Sequence, residues 1–300
     1  MSVNKIMCLY LQHKYQFMDL ILGAIHWNIS EEIFNIGSFG IRYYSLCWLL
    51  AFVVSYILML KVFKIAGKTQ EDLDKFTIYI FLGTFIGARL GHCFFYEWSE
   101  YYKYHFLEIF IPFRELNGSW QFTGFQGLAS HGAAIGILTA LYLYAKKTKI
   151  DFLWIADRLM LVVPIAGALI RLGNFFNSEI IGKPTESDLP WAVVFEKANL
   201  QPHELNLLPR HPAQLYEALG YFILFIILWS MFQKNNKPKP GLFFGIFLVV
   251  MFSIRFVMEF FKENQVDFEN GMLLNMGQLL SIPFILAGLY LIGRKPTTTK

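Results

Sequence analysis

Long apolar stretches recur along this chain, near residues 43–63, 77–96, 129–146, 152–175, 213–232, 241–262 and 276–293. A helix needs about 20 apolar residues to cross a bilayer, and in that solvent every backbone polar group must be paired internally. This requirement narrows the choice to an all-α integral membrane protein with about seven transmembrane helices. Composition agrees, with 55% hydrophobic and only 16% charged residues and a mean hydropathy of +0.43. A soluble domain carries about 25% charged residues. No internal repeat and no soluble second domain is visible.

The basic residues orient the spans. Lys61, Lys64, Lys68 and Lys75 follow the first stretch, Lys146, Lys147 and Lys149 the third, Lys234, Lys237 and Lys239 the fifth, and Arg294, Lys295 and Lys300 the last. With seven spans these loops share one side, which the positive-inside rule makes the cytoplasm, so the N-terminus is out and the C-terminus in. The long outer segments, an arm at 97–128 and a head at 176–212, are irregular, and Pro184, Pro190, Pro202 and Pro209 break any long helix in the head. Residues 1–35 form an N-terminal extension, 36–293 the membrane domain and 294–300 a cytoplasmic tail. The apolar patch Met18–Trp27 is too short to span and suits an interfacial helix. Met1–Phe17 lacks the pattern of a cleaved signal peptide, and either Met1 or Met18 is a possible start.

Polar residues inside apolar sequence are costly unless they are paired or functional. The richest group is Arg171-Leu-Gly-Asn-Phe-Phe-Asn-Ser-Glu-Ile-Ile-Gly182, at the end of the apolar run Leu159–Ile170. Guanidinium holds phosphate oxygens in a two-pronged, charge-assisted geometry, so an anionic lipid head group is the natural ligand there. Arg255 is the other deeply placed arginine. Its spacing from Glu259 suits an internal helix pair, or else Arg171 and Arg255 flank one phosphate. His131, in Ser130–Gly136, reads either as a packed histidine or as a base near neutral pH. Arg89 and His92 lie in Gly87–Tyr96, where Gly87 and Gly91 have the spacing of close helix packing. Pro212 and Glu217 suit the start of a helix, which leaves Gln214 and Tyr216 unexplained. Tyr43, Tyr44 and Trp48 suit an interfacial aromatic belt. Cys8, Cys47 and Cys93 have no metal-like spacing and read as small core residues. The net charge of +4 is modest and lies in separate loops, and no nucleic-acid partner is expected.

With these pieces in order, the chain resembles the prolipoprotein diacylglyceryl transferases. Arg171–Gly182 looks like that family's signature, with Arg171, Asn174, Asn177, Glu179 and Gly182 at its polar and glycine positions. The likeness continues through Arg42–Leu46, Gly87–Tyr96, His131–Gly136, His211–Glu217, Arg255–Phe261 and Met276–Pro283, covering about residues 35 to 293. It implies an enzyme of the bacterial inner membrane, with its site toward the outer leaflet. That enzyme would move the diacylglyceryl group from phosphatidylglycerol to the lipobox cysteine of a preprolipoprotein signal peptide, forming a thioether and releasing glycerol phosphate. It needs no cofactor or metal. The resemblance makes His131, Arg171, Glu179, Arg255 and Tyr44 catalytic candidates. Arg171, Asn174, Asn177, Gly182, Arg255, Arg89, Gln214, Tyr216 and Glu259 are candidates for substrate binding. Ala133 and Met251 depart from the family pattern, which often has glycine and tyrosine there.

The chemistry is consistent with these residues. The substrate supplies the thiol nucleophile, two guanidiniums would stabilise the leaving phosphate, and His131 or Glu179 would take the thiol proton. Two other classes remain open on sequence: a transporter or channel for an anionic solute, and an inactive lipid-binding scaffold.

Overall fold

The computed structural model describes residues 24–36, 39–116, 118–122, 125, 127, 129–185, 189–200, 203–262 and 272–295. Met1–Phe17, Met18, Cys8, Pro202 and Lys300 lie outside the described residues. The chain divides into two compact units, Leu58–Leu159 on one hand and Met1–Ile57 with Met160–Lys300 on the other.

Helix α1 (Tyr43–Ile65) runs from one unit into the other. The unit 58–159 is built on α2 (Gln70–Phe95) and α3 (Ser130–Thr148). A capping box starts α2: Asp72 N donates to Thr69 Oγ1 at 3.2 Å, and Thr69 N donates to the Asp72 carboxylate at 3.0 Å. The two helices meet backbone to backbone along glycines. A Cβ added at Gly91 would lie 2.6 Å from Gly132 Cα, and one at Gly83 2.6 Å from Ala140 Cβ. The small-residue spacing of both segments thus serves a single contact. Gly132→Ile is expected to cost roughly 1–3 kcal/mol through overpacking. A lower melting temperature in detergent would register it; an unchanged one would show that the helices can separate without loss.

Between α2 and α3 the arm folds around a buried carboxylate. It consists of a π-helical turn at Trp98–Tyr102, a 3-10 turn at Phe106–Ile109 and a hairpin of β4 (Phe113–Leu116) and β5 (Ser119–Phe122). Glu108 is 1% exposed; it accepts from Tyr101 Oη at 2.5 Å and from Glu115 N at 3.2 Å, with His105 Nδ1 at 3.3 Å. Burial and the bond to Glu108 push the Tyr101 phenol up to about 12. Arg89 donates to the carbonyls of Glu108 (2.6 Å) and Ile109 (3.2 Å), fastening this turn to α2.

The other unit contains α5 (Val163–Phe176), α6 (Ala213–Lys234), α7 (Leu242–Met258) and α8 (Met276–Gly293), packed in sequence as neighbours. The expected span over 152–175 is broken into α4 (Phe152–Met160) and α5. Pro164, in the first turn of α5, has no N–H for the carbonyl of Met160, so one continuous ladder cannot form. Among the described residues five helices are long and apolar enough to cross a membrane: α1, α2, α6, α7 with its 3-10 extension to Phe261, and α8. The bent pair α4–α5 makes up to six. Helix α3 falls outside this group because His131 at one end and Lys146 and Lys147 at the other lower its hydropathy.

Short strands accompany the helices. β2 (Glu32–Ile36) and β3 (Phe39–Arg42) form a hairpin before α1. In the head, β6 (Val193–Phe195) pairs with β7 (Pro209–Arg210) and, in parallel, with β1 (Ile25–Trp27). The described end of the Met18–Trp27 patch is therefore strand and not interfacial helix. It is held by ladder hydrogen bonds and by Trp27 packing on Phe175, with ring centroids 4.3 Å apart. Cys47 and Cys93 are buried free thiols, as their apolar surroundings suggested.

Candidate active site

The segment Arg171–Gly182 begins on the last turns of α5 and leaves the helix in a tight reversal. Asn177 N still reaches Gly173 O at 3.1 Å, and Glu179 N closes on Asn174 O at 2.9 Å. Ser178 (φ 52°) and Ile180 (φ 55°) adopt left-handed backbone without being glycine, a conformation that disfavours L side chains. Side chains of the same segment brace it. Glu179 accepts from Asn174 Nδ2 at 3.2 Å and from Asn177 Nδ2 at 3.1 Å, and Gln214 Nε2 donates to the Glu179 carbonyl at 2.6 Å. The signature asparagines therefore shape the turn and aim the Glu179 carboxylate.

Arg171 stands at the centre of a buried polar network. Its NH1 donates to Asn174 Oδ1 at 3.1 Å, and its Nε lies 2.5 Å from Glu217 Oε2. The second contact is a charge contact without a hydrogen-bonding angle, because Glu217 Oε2 receives no hydrogen bond. Glu217, wholly buried in α6, accepts from Lys262 Nζ at 2.7 Å through its other oxygen. Tyr221, one turn along α6, hydrogen-bonds with Arg171 and interacts electrostatically with both Arg171 and Arg255. Tyr44 also interacts with Arg171. Gly173 allows this approach, since a Cβ there would come within 2.8 Å of the Tyr44 ring and 3.2 Å of Cys47.

Gly182 occupies a second crowded junction. Its N–H donates to His211 O at 3.1 Å, its carbonyl accepts from Arg210 NH1 at 3.0 Å, and it bridges Lys262. A Cβ there would stand 2.8 Å from His211 Cβ and 2.9 Å from Phe261 O. Only glycine lets the three chain segments meet, and their meeting carries Lys262 to Glu217. Beside it, Trp191 Nε1 donates to Tyr216 Oη at 2.9 Å, so the phenol hydrogen is free for His211 Nδ1 at 3.2 Å. Burial pushes the His211 imidazole below its ordinary value, which favours this neutral acceptor form.

Tyr44, Arg171, Asn174, Asn177, Glu179, Gly182, Gln214, Tyr216, Arg255 and Glu259 all belong to the unit containing Met160–Lys300. Arg171, Asn174, Asn177, Glu179 and Gln214 are joined by direct hydrogen bonds, and Tyr221, hydrogen-bonded to Arg171, is within electrostatic reach of Arg255. The internal helix pair that the Arg255–Glu259 spacing allowed as an alternative does not form. Glu259 instead accepts from Asn275 Nδ2 at 3.1 Å and lies 3.7 Å from Lys262, and Arg255 has no ion pair among the described residues. Arg89 and His131 belong to the other unit. Arg89 is committed to the carbonyls of the arm, whereas His131 is exposed on the first turn of α3. Glu217, Tyr221 and Lys262 join this network although the sequence does not single them out as site residues. The nearness of Glu217 to the helix start suits a dipole role, but Glu217 lies beyond the first turn of α6 and is a buried counter-ion to Arg171 and Lys262. A carboxylate within apolar sequence carries the same solvation cost as Arg171 and Arg255, and that cost is the signal that points to it.

Residues 31–294 match the family described as prolipoprotein diacylglyceryl transferase. A Bacteroides fragilis protein named phosphatidylglycerol–prolipoprotein diacylglyceryl transferase is 45% identical over 275 residues, which cover 91% of this chain and 96% of that protein. The protein of that name from Tolumonas auensis is 40% identical over 269 residues, 89% of this chain and 96% of its own length. Its counterpart from Chloroherpeton thalassium is 42% identical over 270 residues, 89% of this chain and 93% of its own.

Proposed function

This chain belongs to the prolipoprotein diacylglyceryl transferase family, and we propose that its Arg171 network holds the phosphate of phosphatidylglycerol during transfer to a lipobox cysteine. It is a membrane transferase of lipoprotein maturation. In the proposed step the cysteine sulfur attacks the glycerol carbon that carries the phosphate. A C–S bond forms, the C–O bond breaks, and the electron pair leaves on the phosphate oxygen of glycerol phosphate. The thiol proton passes to a base. The cationic cluster carries this reading: Arg171 is held by Glu217 and Asn174, while Arg255 stands near Tyr221 without an ion pair among the described residues. A lipid phosphate would be the counter-charge of Arg255 and of the remaining N–H groups of Arg171, and charge developing on the leaving oxygen strengthens the interaction in the transition state.

Seven spans with α3 among them, N-out and C-in, would place the signature at the outer leaflet of the cytoplasmic membrane, where an exported signal peptide presents its cysteine. The head over 176–212 would guide that peptide. His131 and Glu179 are the two candidate bases. His131→Asn is expected to reduce turnover while phosphatidylglycerol binding stays nearly intact, and lost lipid binding would assign it a structural role. Glu179→Gln keeps one asparagine contact unchanged, and the other re-forms only when Asn177 turns its amide oxygen toward the new NH2 group; a lower turnover with an unchanged thermal melt would point to the carboxylate as the base. The deciding assay uses labelled phosphatidylglycerol, a synthetic lipobox peptide and purified protein. Thioether product that depends on the peptide cysteine supports the reading. No product from well-folded protein with several peptides would remove it.

A further inference from the structure

The carboxylate that holds Arg171 is itself held by a second cation. Glu217 is wholly buried, with Oε2 at Arg171 Nε (2.5 Å) and Oε1 at Lys262 Nζ (2.7 Å). The Lys262 side chain is only 5% exposed, and its ammonium lies 3.7 Å from Glu259. Its backbone is pinned as well, by the bridge to Gly182 and by the neighbouring Lys183 N–H donating to Phe261 O at 2.7 Å. The lysine is therefore built into the fold at this point and is not a surface cation that happens to be near.

A buried carboxylate with a single guanidinium partner is free to take both prongs of the fork, and low local dielectric strengthens that grip. In such a pair the N–H groups of Arg171 would be turned toward Glu217 and lost to any anion. With Lys262 on Oε1, Glu217 has one oxygen left and takes only the Nε side, while NH1 remains on Asn174. We infer that Lys262 is a positioning residue that keeps Arg171 available to the lipid phosphate by occupying one oxygen of Glu217. The inference rests on the phosphate-binding reading of Arg171 proposed above.

The test is a double-mutant cycle of Lys262→Met and Glu217→Gln. Each protein is assayed for kcat and KM in peptide lipidation, and for binding of fluorescent phosphatidylglycerol in detergent micelles. Lys262→Met should lower kcat/KM by about 100-fold, the scale of a small misplacement of a catalytic group. Adding Glu217→Gln to it should restore about tenfold, because a neutral amide cannot sequester the guanidinium. Lys262→Arg should keep most of the activity. A double variant no better than Lys262→Met would overturn the inference, and so would a rescue of rate that merely follows an equal recovery of melting temperature, since a structural pair couples through stability alone. Should Lys262→Met fail to fold, Lys262→Gln replaces it; its amide can still donate to Oε1, and an intermediate loss is expected. A wild type that binds phosphatidylglycerol but does not lipidate peptide would defeat the reaction and leave this point decidable. Binding should still fall with Lys262→Met and recover in the double variant, and equal binding in all proteins would sink the role of Lys262.

Discussion

Replacing Arg171 with alanine is expected to lower diacylglyceryl transfer by roughly 100- to 1,000-fold, the loss typical when one preorganised donor to a developing oxyanion is removed. The surrounding network makes the effect larger than the loss of one contact. Arg171 is the partner of Asn174 and of the fully buried Glu217, and its removal leaves the carboxylate to Lys262 alone. Arg171→Lys should rescue little, because an ammonium cannot span Asn174, Glu217 and a phosphate from one planar group. The measurement is initial rate with labelled phosphatidylglycerol and lipobox peptide, beside a thermal melt. Near-wild-type rates in a folded Arg171→Ala protein would place the phosphate site elsewhere.

The second large effect is expected at Gly182. Its φ is not the issue; the surroundings are. A valine there would drive its Cβ into His211 and the Phe261 carbonyl, both of which are tied to this segment by backbone hydrogen bonds. Something in the backbone must move, at a cost of about 1–3 kcal/mol or more, and Lys262 moves with it. Gly182→Val should therefore lose both stability and most of its activity, and the loss of activity should persist at temperatures where the protein remains folded. An active Gly182→Val would show that the junction of residues 182, 211 and 262 does not position the site.

The helical character and the edges of most helices were legible because a bilayer tolerates little else: α1 and α8 begin at Tyr43 and Met276, where the apolar stretches begin. The break between α4 and α5 was less visible, since hydropathy passes smoothly over Pro164 while the hydrogen-bond ladder does not. The strands of the head were hidden for another reason. β1 and β6 are three residues each, and their partners lie far apart in the chain, too short and too distant for any alternation to show.

The candidate site divides in the same way. Arg171, Asn174, Asn177, Glu179 and Gly182 stand within one short segment, and their cost inside apolar sequence makes them conspicuous without any coordinates. That much, a membrane protein with a polar, arginine-bearing cluster at the end of an apolar helix, was determined by the sequence itself, because solvation penalties act on each residue wherever it folds. Which charges meet was decided only by tertiary structure. Glu217 and Lys262 are 45 residues apart, and the local spacing of Arg255 and Glu259 pointed to a pair that does not form. Ion pairing falls off with distance through space, and distances between helices are set by packing, here by a glycine at 182 and a glycine at 173 that let neighbouring segments close on Arg171.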